Sequence, residues 1–188
     1  MIKNSYYITA FILLICLGCV GWYIAKPQQL LLLDSQTLLN TPDAIINNLT
    51  VTKFNADGSI ATRLITPQMK HIPNNNTSLL DKPNIISYQE NQAPWKISAL
   101  NGKAVNGSEK VTLTNDVFIH QPASPHNKET NFHTEKLYYY PQRQYADTDI
   151  AITLTQPGTV IKAIGMQAYL EEKKIKFLNR TRGRYEAG

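Results

Sequence analysis

Hydrophobic and polar side chains alternate along most of the chain after residue 45. Apolar residues share one parity in two segments: Val111, Leu113, Val117 and Ile119 in VTLTNDVFIH, and Ile150, Ile152 and Leu154 in TDIAITLTQ. A period of two is typical of strands with one buried and one exposed face. Turn-forming residues separate such segments, as at Asn101-Gly102 and Pro122. The pattern predicts an all-β domain of antiparallel strands over residues 45–186.

The first two strands of this domain have a predicted register. A two-residue turn at Asp57-Gly58 would place three pairs of residues opposite each other: Val51 with Leu64, Leu49 with Thr66, and Thr52 with Arg63. The first two pairs form a largely apolar face. A one-residue slip would expose Val51 and Leu64 to water, so the pattern specifies the register.

A two-stranded unit recurs along the second half of the domain. Units begin at Trp95, Phe132 and Ile161, and Asp116 of the first unit matches Asp149 of the second. Pro122 and Pro157 also occupy matching positions in these two units. Repeated units of this kind stack into an array with a continuous core.

Residues 6–25 form an apolar stretch without formal charge between Lys3 and Lys26. A bilayer core about 30 Å thick needs about 20 apolar helical residues, and aromatic residues stand at both ends of the stretch, as they do at membrane interfaces. We therefore predict one transmembrane helix over residues 6–25. Residues 1–5 are expected to stay in the cytoplasm, because a short, positively charged leader favours that side.

Residues 26–44 are predicted to form a tether between this helix and the β domain. Two alternatives to a membrane anchor stay open. The stretch could be a cleaved signal peptide, although the usual cleavage pattern is missing after Ala25. Alternatively, Cys19 could carry a lipid, because Leu17-Gly18-Cys19 is similar to the end of a lipoprotein box.

Composition removes several classes of chemistry. Both cysteines, Cys16 and Cys19, lie in the apolar stretch, so the domain has no disulfide, zinc thiolate or cysteine nucleophile. The histidines form no metal-binding motif, and the chain has neither a nucleophile elbow nor a phosphate-binding glycine loop. These absences argue against an enzyme and predict no cofactor and no metal.

The chain is basic, with a formal net charge of +5 and an isoelectric point of about 9.1. Such a charge suits a nucleic acid, an acidic partner or a phosphorylated lipid. A domain tethered outside the cytoplasm meets no RNA, so we exclude nucleic acid as a partner. The tyrosines of Tyr138-Tyr139-Tyr140 are instead expected to alternate between the interior and the exterior of the domain.

These elements, in this order, resemble the family of the lipopolysaccharide export protein LptC. The resemblance covers nearly the whole chain and rests on five segments: FNADGSIATRLITPQMKH, WKISALNGKA after Pro83, LTNDVFIHQP, FHTEKLYYYPQRQYADTD and IGMQAYLEEKKIKFLNRTRGRYE. The fourth segment is the most specific, because the wider export-domain family carries a similar pattern of threonine, leucine, tyrosine and aspartate. The leucine-rich tether and the two cysteines depart from the family pattern.

The resemblance implies a twisted β-jellyroll that is open along one side and held in the periplasm of a Gram-negative bacterium by its inner-membrane anchor. Such a protein accepts lipopolysaccharide from an ABC transporter of the inner membrane and passes it to a periplasmic jellyroll carrier similar to LptA. It has no catalytic activity of its own. The chain is therefore expected to take part in transport from the inner to the outer membrane.

The resemblance also implies roles for individual residues. Inward positions would line a hydrophobic groove for acyl chains: Leu49, Val51, Leu64, Met69, Leu80, Trp95, Ile97, Val117, Ile119, Leu137, Tyr139, Ile150 and Ile152. The carboxy-terminal strand would present a partner-binding edge to the carrier, with Lys174, Lys176, Leu178, Arg180, Arg182 and Tyr185. The strand near Leu49 would meet the transporter. Gly58 is expected in a turn, and Gly165 at a bulge or a close backbone approach.

Two other functions stay open. The domain could be a membrane-anchored docking module that binds proteins through its edges and carries no lipid. A weaker hypothesis is a metal-dependent hydrolase that uses His126 and His133, which lie in or beside the polar segment ASPHNKETNF.

Overall fold

The computed structural model describes residues 39–90, 92–125, 127–172 and 174–186. The predicted transmembrane helix, most of the tether, both cysteines and His126 lie outside these residues. Within the described ranges, no helix combines the length and the apolar character needed to cross a membrane.

The described residues form eleven strands and two short 3₁₀ turns. The strands are β1 (Ala44–Phe54), β2 (Ile60–Ile72), β3 (Thr77–Asp81), β4 (Asn84–Ser87), β5 (Trp95–Ser98), β6 (Asn101–Val105), β7 (Lys110–Gln121), β8 (Thr130–Tyr140), β9 (Tyr145–Gln156), β10 (Thr159–Tyr169) and β11 (Lys174–Tyr185). All strand pairs are antiparallel. The predicted all-β domain is confirmed.

All eleven strands belong to one sheet that is rolled and open. Strands β7 to β11 pair in sequence order, and β1 pairs only with β2. The four short strands β3 to β6 lie between β2 and β7. One half of β7 pairs with β6 and the other half with β5. Likewise, one part of β2 pairs with β3 and another part with β4. The short strands are therefore the two halves of bent strands, and β1 and β11 are the two edges of the sheet.

A line of backbone irregularities crosses the sheet and creases it. Asn115 and Asp116 on β7, Gly165 on β10 and Arg180 on β11 have φ angles of 64°, 53°, 80° and 48°. The strand registers shift at the same places. Bulges of this kind bend a strand and strengthen its twist. Asp116 marks the crease on β7, and its match in the sequence repeat, Asp149, lies within the β8–β9 register shift.

The crease divides the sheet into two layers. The first layer contains the strand segments 60–65, 84–87, 95–98, 117–121, 130–134, 152–156 and 159–163. The second layer contains the segments 68–72, 77–81, 101–105, 110–114, 136–140, 145–148 and 166–169. Buried side chains from both layers form one hydrophobic cluster.

Threonine hydroxyls satisfy backbone carbonyls at the crease. Thr66 is fully buried, and its Oγ1 donates to the Asp81 carbonyl oxygen at 2.5 Å. The Gln68 carbonyl oxygen lies 2.9 Å from the same Oγ1. The Thr134 Oγ1 donates to the Ala151 carbonyl at 2.8 Å. A bulge removes ladder bonds, and a buried carbonyl without a partner is costly. These hydroxyls therefore stabilise the bend.

The predicted alternation on β7 is confirmed, because Val111, Leu113, Val117 and Ile119 are all buried. On β9, Ile152 and Leu154 are buried, but Ile150 is only half-buried. The register shift between Thr148 and Ala151 displaces Ile150 from the buried face. Ile150 is therefore less buried than the alternation predicts.

The predicted pairs at the first hairpin are confirmed, but the predicted turn is wrong. Val51 lies opposite Leu64, Leu49 opposite Thr66 and Thr52 opposite Arg63. The loop has more than two residues, because the Asn55 N–H donates to the Ser59 carbonyl at 2.8 Å and the register shifts at Phe54. Gly58 takes the left-handed conformation, with φ 85°, that the loop requires.

Candidate functional site

Three spaces lie between the two layers. The β1-side cleft has a volume of about 450 Å³ and is lined by Val51, Thr52, Lys53, Thr62, Leu64, Ile85, Gly107, Ser108, Val111, Tyr139, Pro141 and Gln142. The central cavity has a volume of only about 40 Å³ and is lined by Ser87, Trp95, Ile97, Ile119, Phe132, Leu137, Ala146, Met166, Ala168, Leu170 and Ile175.

The third space is the β11-side cleft, with a volume of about 410 Å³. Its lining residues are Gln89, Gln92, Trp95, Gln121, Asn127, Lys128, Thr130, Leu154, Gln156, Ala168, Tyr169, Leu170, Lys174, Ile175 and Phe177. Trp95, Ala168, Leu170 and Ile175 also line the central cavity. The β11-side cleft therefore adjoins the central cavity, whereas the β1-side cleft shares no lining residue with either of them. We call the row of three spaces the trough.

The centre of the trough is closed by the protein's own side chains. Leu113, Val117 and Leu137 have no exposed surface, and Ile152 and Met166 are 2% exposed. The Trp95 and Phe132 rings pack with their centroids 6.1 Å apart. The clefts thus have open volume, whereas the region between them is packed like a protein core.

The predicted groove residues divide into two groups. Val51, Leu64 and Tyr139 line the β1-side cleft, and Trp95, Ile97, Ile119 and Leu137 line the central cavity. Leu49, Met69, Leu80, Val117, Ile150 and Ile152 line none of the three spaces. Of these six residues, Leu80 is buried and lies against Gly102, while Val117 and Ile152 belong to the packed core.

Polar side chains at the rim of the β11-side cleft were not predicted from the sequence. Gln121 Nε2 donates to the Ala93 carbonyl at 3.1 Å, and Gln156 Nε2 donates to Thr130 Oγ1 at 2.9 Å. Both glutamines end a strand and precede a proline of the sequence repeat. The repeated Gln-Pro pair was therefore the signal that could have located this rim.

A hydrogen bond joins the two layers beside the central cavity, where Gln89 Nε2 donates to the Leu170 carbonyl at 3.3 Å. Tyr139, from the second layer, is 3% exposed and lines the β1-side cleft together with Thr62 of the first layer. Burial raises the pKa of the Tyr139 phenol above its ordinary value of 10.0, so the hydroxyl stays protonated at neutral pH.

The two neighbours of Tyr139 on β8 point to the exterior, as predicted from the tyrosine triplet. Tyr138 and Tyr140 are half-buried, and Tyr139 is 3% exposed. The Lys110 Nζ lies 4.1 Å from the centroid of the Tyr138 ring, a distance at which a cation is attracted to the face of an aromatic ring.

The edge strand β11 exposes nearly all its side chains. All six residues of the predicted partner-binding edge are exposed, with Leu178 at 47% and Tyr185 at 72%. Lys174 and Lys176 pair with Tyr169 and Gln167 on β10 and share their face of the sheet. Edge strand β1 likewise exposes apolar side chains, including Ile45 and Phe54 at 57% and 58%. Val51 is also 46% exposed, because no strand covers the outer edge of β1.

Gly165 lies at a bulge, which is one of the two alternatives predicted for it, and the Leu178 side chain lies close to it. A Cβ atom added at Gly165 would lie 3.0 Å from Leu178 Cδ1 and 3.2 Å from Leu178 Cβ. Glycine is therefore required both by the backbone conformation and by the close approach of Leu178.

The three histidines that the structure describes have carboxylate or amide oxygens as partners. His133 lies on β8, and its Nε2 is 2.7 Å from Asp116 Oδ1. His71 contacts Asn76 Oδ1 at 2.8 Å and Asp43 Oδ1 at 2.6 Å, and these hydrogen bonds raise its pKa. Across the described part of the chain, no group of three or more His, Cys, Asp or Glu residues is arranged to hold a metal ion.

Comparisons with known proteins agree with this architecture. The structure is similar to the crystal structure of LptH from Pseudomonas aeruginosa, described as the LptA homologous periplasmic component of the conserved lipopolysaccharide transport device. The TM-score is 0.52 at 8% sequence identity, over 67% of this chain and 95% of that chain. This likeness shows a shared LptA-like jellyroll fold.

A comparison with curated protein sequences finds no significant match. The family model described as "Lipopolysaccharide-assembly, LptC-related" matches residues 10–186 of this chain. The match covers most of the chain and includes every strand of the sheet. The chain therefore belongs to the LptC family of lipopolysaccharide-assembly proteins.

Proposed function

We propose that this chain carries lipopolysaccharide through the trough between its layers, from an inner-membrane ABC transporter at the β1 edge to an LptA-like carrier at the β11 edge. Membership of the LptC family gives it a role in lipopolysaccharide transport. The observation that carries the finer proposal is the position of the trough, which begins in a cleft beside β1 and ends in a cleft beside β11.

The lining chemistry suits an amphiphilic ligand. Apolar side chains such as Leu64, Ile97 and Phe132 line the spaces between the layers, and burying acyl chains against them is favourable by about 0.8 kcal/mol per methylene group. Glutamine amides and Lys128 and Lys174 stand at the β11-side cleft. These polar groups would face the sugar and phosphate part of the ligand.

The two edges suit partners with the same fold. An edge strand presents unpaired N–H and C=O groups, to which another sheet can add by main-chain hydrogen bonds. Exposed basic side chains on β11, including Lys174, Arg180 and Arg182, would set the register against an acidic edge. Addition at β11 would extend the trough into the carrier.

In this proposal residues 6–25 anchor the chain in the inner membrane with residues 1–5 in the cytoplasm. Residues 26–44 form the tether, and the jellyroll of residues 45–186 lies in the periplasm. In this proposal the chain carries its ligand and catalyses no reaction.

Site-specific photo-crosslinking in cells tests this proposal. A photoreactive amino acid at Leu64 or Ile119 is expected to capture lipopolysaccharide, because these side chains line the β1-side cleft and the central cavity. The same amino acid at Thr112, which lies on the opposite face of β7 from Val111 and Leu113, is the control and is expected to capture none. Equal capture at the inner and outer positions would contradict the proposal.

A second candidate is a docking module that binds proteins through its edges and carries no lipid. The packed centre of the trough favours it, because Leu113, Val117 and Leu137 have no exposed surface. The crosslinking experiment separates the two functions. A conduit is expected to capture lipopolysaccharide at Leu64 and Ile119, whereas a docking module is expected to capture none at either position.

A further inference from the structure

The β1-side cleft combines buried apolar side chains with exposed polar groups. Ile85 of β4 and Val111 of β7 line the cleft and are buried. Lys53 of β1 and two residues of the β6–β7 turn, Gly107 and Ser108, line the same cleft and are exposed. We call these three exposed residues the cleft mouth. A ligand that fits both parts has an apolar portion next to a group that accepts hydrogen bonds.

The register of β1 places the Lys53 side chain on the cleft side of the strand. Val51 pairs with Leu64 of β2, and Lys53 pairs with Thr62. All four residues line the cleft. Because side chains repeat every two residues along a strand, Lys53 shares a face with Val51. β1 is an edge, so no further strand covers the Lys53 side chain.

The Lys53 ammonium group has no acidic partner. It forms no salt bridge with any residue that the structure describes. Asp57, in the first hairpin loop, accepts hydrogen bonds from the N–H and the hydroxyl of Ser59 at 2.9 and 2.6 Å. Glu109, next to the cleft mouth, lies 3.5 Å from Asn106 Nδ2. Neither acid lines the cleft, so a negative charge on a ligand would meet an attractive charge and no repulsive one.

The β6–β7 turn adds further hydrogen-bond donors. Gly107 and Ser108 have φ angles of 66° and 78°, and the Glu109 N–H donates to the Val105 carbonyl at 3.1 Å. Counting only partners in the described segments, the N–H groups of Gly107 and Ser108 make no hydrogen bond. Successive N–H groups in a turn form concavities that bind anions. The cleft mouth therefore offers a cation and backbone donors to a ligand.

We propose that the cleft mouth binds a phosphate group of lipopolysaccharide while the acyl chains lie against Leu64, Ile85 and Val111. This inference deepens the proposed function and rests on it, because it requires lipopolysaccharide to enter between the layers. Any acyl lipid gains the same free energy from the apolar side chains. Lys53 attracts phosphate as a point charge, so the cleft mouth selects a phosphorylated lipid among them.

The two clefts differ in the kind of polar group that they present. The β1-side cleft has one side-chain amide, Gln142. The β11-side cleft has five, from Gln89, Gln92, Gln121, Asn127 and Gln156. An amide both donates and accepts hydrogen bonds and so matches sugar hydroxyls, whereas an ammonium group only donates. The β11-side cleft thus suits the sugars of the ligand, and the β1-side cleft suits an anionic group beside its acyl chains.

The test uses the purified full chain in a neutral detergent, with a photoreactive amino acid at Leu64. One probe is lipid A, the acylated and phosphorylated disaccharide of lipopolysaccharide, and the other is the same molecule after removal of its phosphates. The lipid concentration that gives half-maximal labelling measures an apparent Kd for each probe. The ratio of the two Kd values isolates the contribution of the phosphates, and the wild type is expected to prefer lipid A about five-fold, as for an exposed charge pair.

Lys53→Gln is expected to weaken labelling by lipid A about five-fold and to leave labelling by the phosphate-free lipid unchanged, so that the ratio approaches one. Lys53→Arg retains the charge and is expected to retain the preference. Lys70→Gln removes the same charge from an exposed position of β2 that lines none of the three spaces. This variant is the matched control and is expected to behave as the wild type.

Equal labelling of the wild type by the two lipids would overturn the phosphate site and leave the proposed function intact. An equal loss for both lipids in Lys53→Gln would show a structural role only, and an equal loss of preference in Lys70→Gln would show a general effect of charge. Either result would overturn the phosphate site. Competition by inorganic phosphate as strong as that by lipid A would also overturn it, because the acyl chains would then contribute nothing. Absence of labelling by either lipid would overturn the proposed function itself, and the phosphate site with it.

Discussion

Strands β8 and β11 have similar lengths but opposite surroundings. β8 has 11 residues and buries Thr130, Phe132, Thr134, Leu137 and Tyr139, whereas β11 has 12 residues and only Phe177 is as much as half-buried. β8 has a paired strand on each side, and β11 has one on a single side. Burial here follows from the neighbours that a strand has. In the proposed function, the exposed side chains of β11 form the edge to which the carrier would add.

The largest expected difference between these strands concerns two leucines. Leu137→Ala on β8 leaves a cavity in a site with no exposed surface and is expected to lower the free energy of unfolding by about 2 to 5 kcal/mol. Leu178→Ala on β11, where the side chain is 47% exposed, is expected to cost less than about 1 kcal/mol. Urea unfolding of the full chain measures both values. Similar losses would show that β11 is as well packed as β8.

Glycines offer a second comparison, between the β10–β11 bulge and the first hairpin. Gly165→Ala combines a positive φ with a Cβ 3.0 Å from Leu178 and is expected to cost about 2 to 3 kcal/mol. Gly58→Ala has a similar φ but open space around the new Cβ and is expected to cost about 1 kcal/mol. Thermal unfolding compares the two variants. A larger loss for Gly58→Ala would contradict the close packing of Leu178 over the bulge.

The same contrast is expected for two threonines. Thr134→Val removes the hydroxyl that bonds to the Ala151 carbonyl at the crease and is expected to cost about 1 to 3 kcal/mol, because a buried carbonyl loses its partner. Thr181→Val, on the exposed strand β11, is the control and is expected to change stability by about 0.5 kcal/mol or less. Equal values would show that the crease does not depend on the hydroxyl.

The smallest expected effect is the pH dependence at His71, next to the start of β1. Hydrogen bonds to Asn76 and Asp43 raise the pKa of His71 above its ordinary value of 6.5. The folded state therefore binds the proton more tightly than the unfolded state. The resulting stability, relative to His71→Gln, is fully present below pH about 6.5 and is lost as the pH rises through the folded-state pKa. Unfolding measured across this range tests the sign, and a gain in relative stability as the pH rises would contradict it.

Local patterns in the sequence predicted the features that depend on neighbouring residues. Alternation located the buried hydrophobic residues of β7, because side chains on a strand repeat every two residues. The residues around Asp57-Gly58 set the hairpin register even though the loop is longer than predicted. Gly165 indicated its bulge, because glycine inside a strand usually marks one.

Features that depend on distant parts of the chain could not be predicted in this way. The parity of buried residues switches within β8, from Thr134 to Leu137, because the crease inserts a register shift that alternation alone does not reveal. The exposure of Val51 depends on β1 being an edge. The β1-side cleft brings together Thr62 of β2 and Tyr139 of β8, and neither residue carries a local signal for the other.

The account depends on the two layers parting to hold acyl chains, since the central cavity of about 40 Å³ is too small for them when closed. The most direct measurement is the distance between spin labels at Lys96 and Lys103, which are exposed on the first and second layers, by pulsed electron paramagnetic resonance on the full chain. A label pair at Lys96 and Thr155, both on the first layer, is the control. We expect lipopolysaccharide to lengthen the first distance and leave the control unchanged. An unchanged distance between the layers with lipopolysaccharide bound would contradict the account.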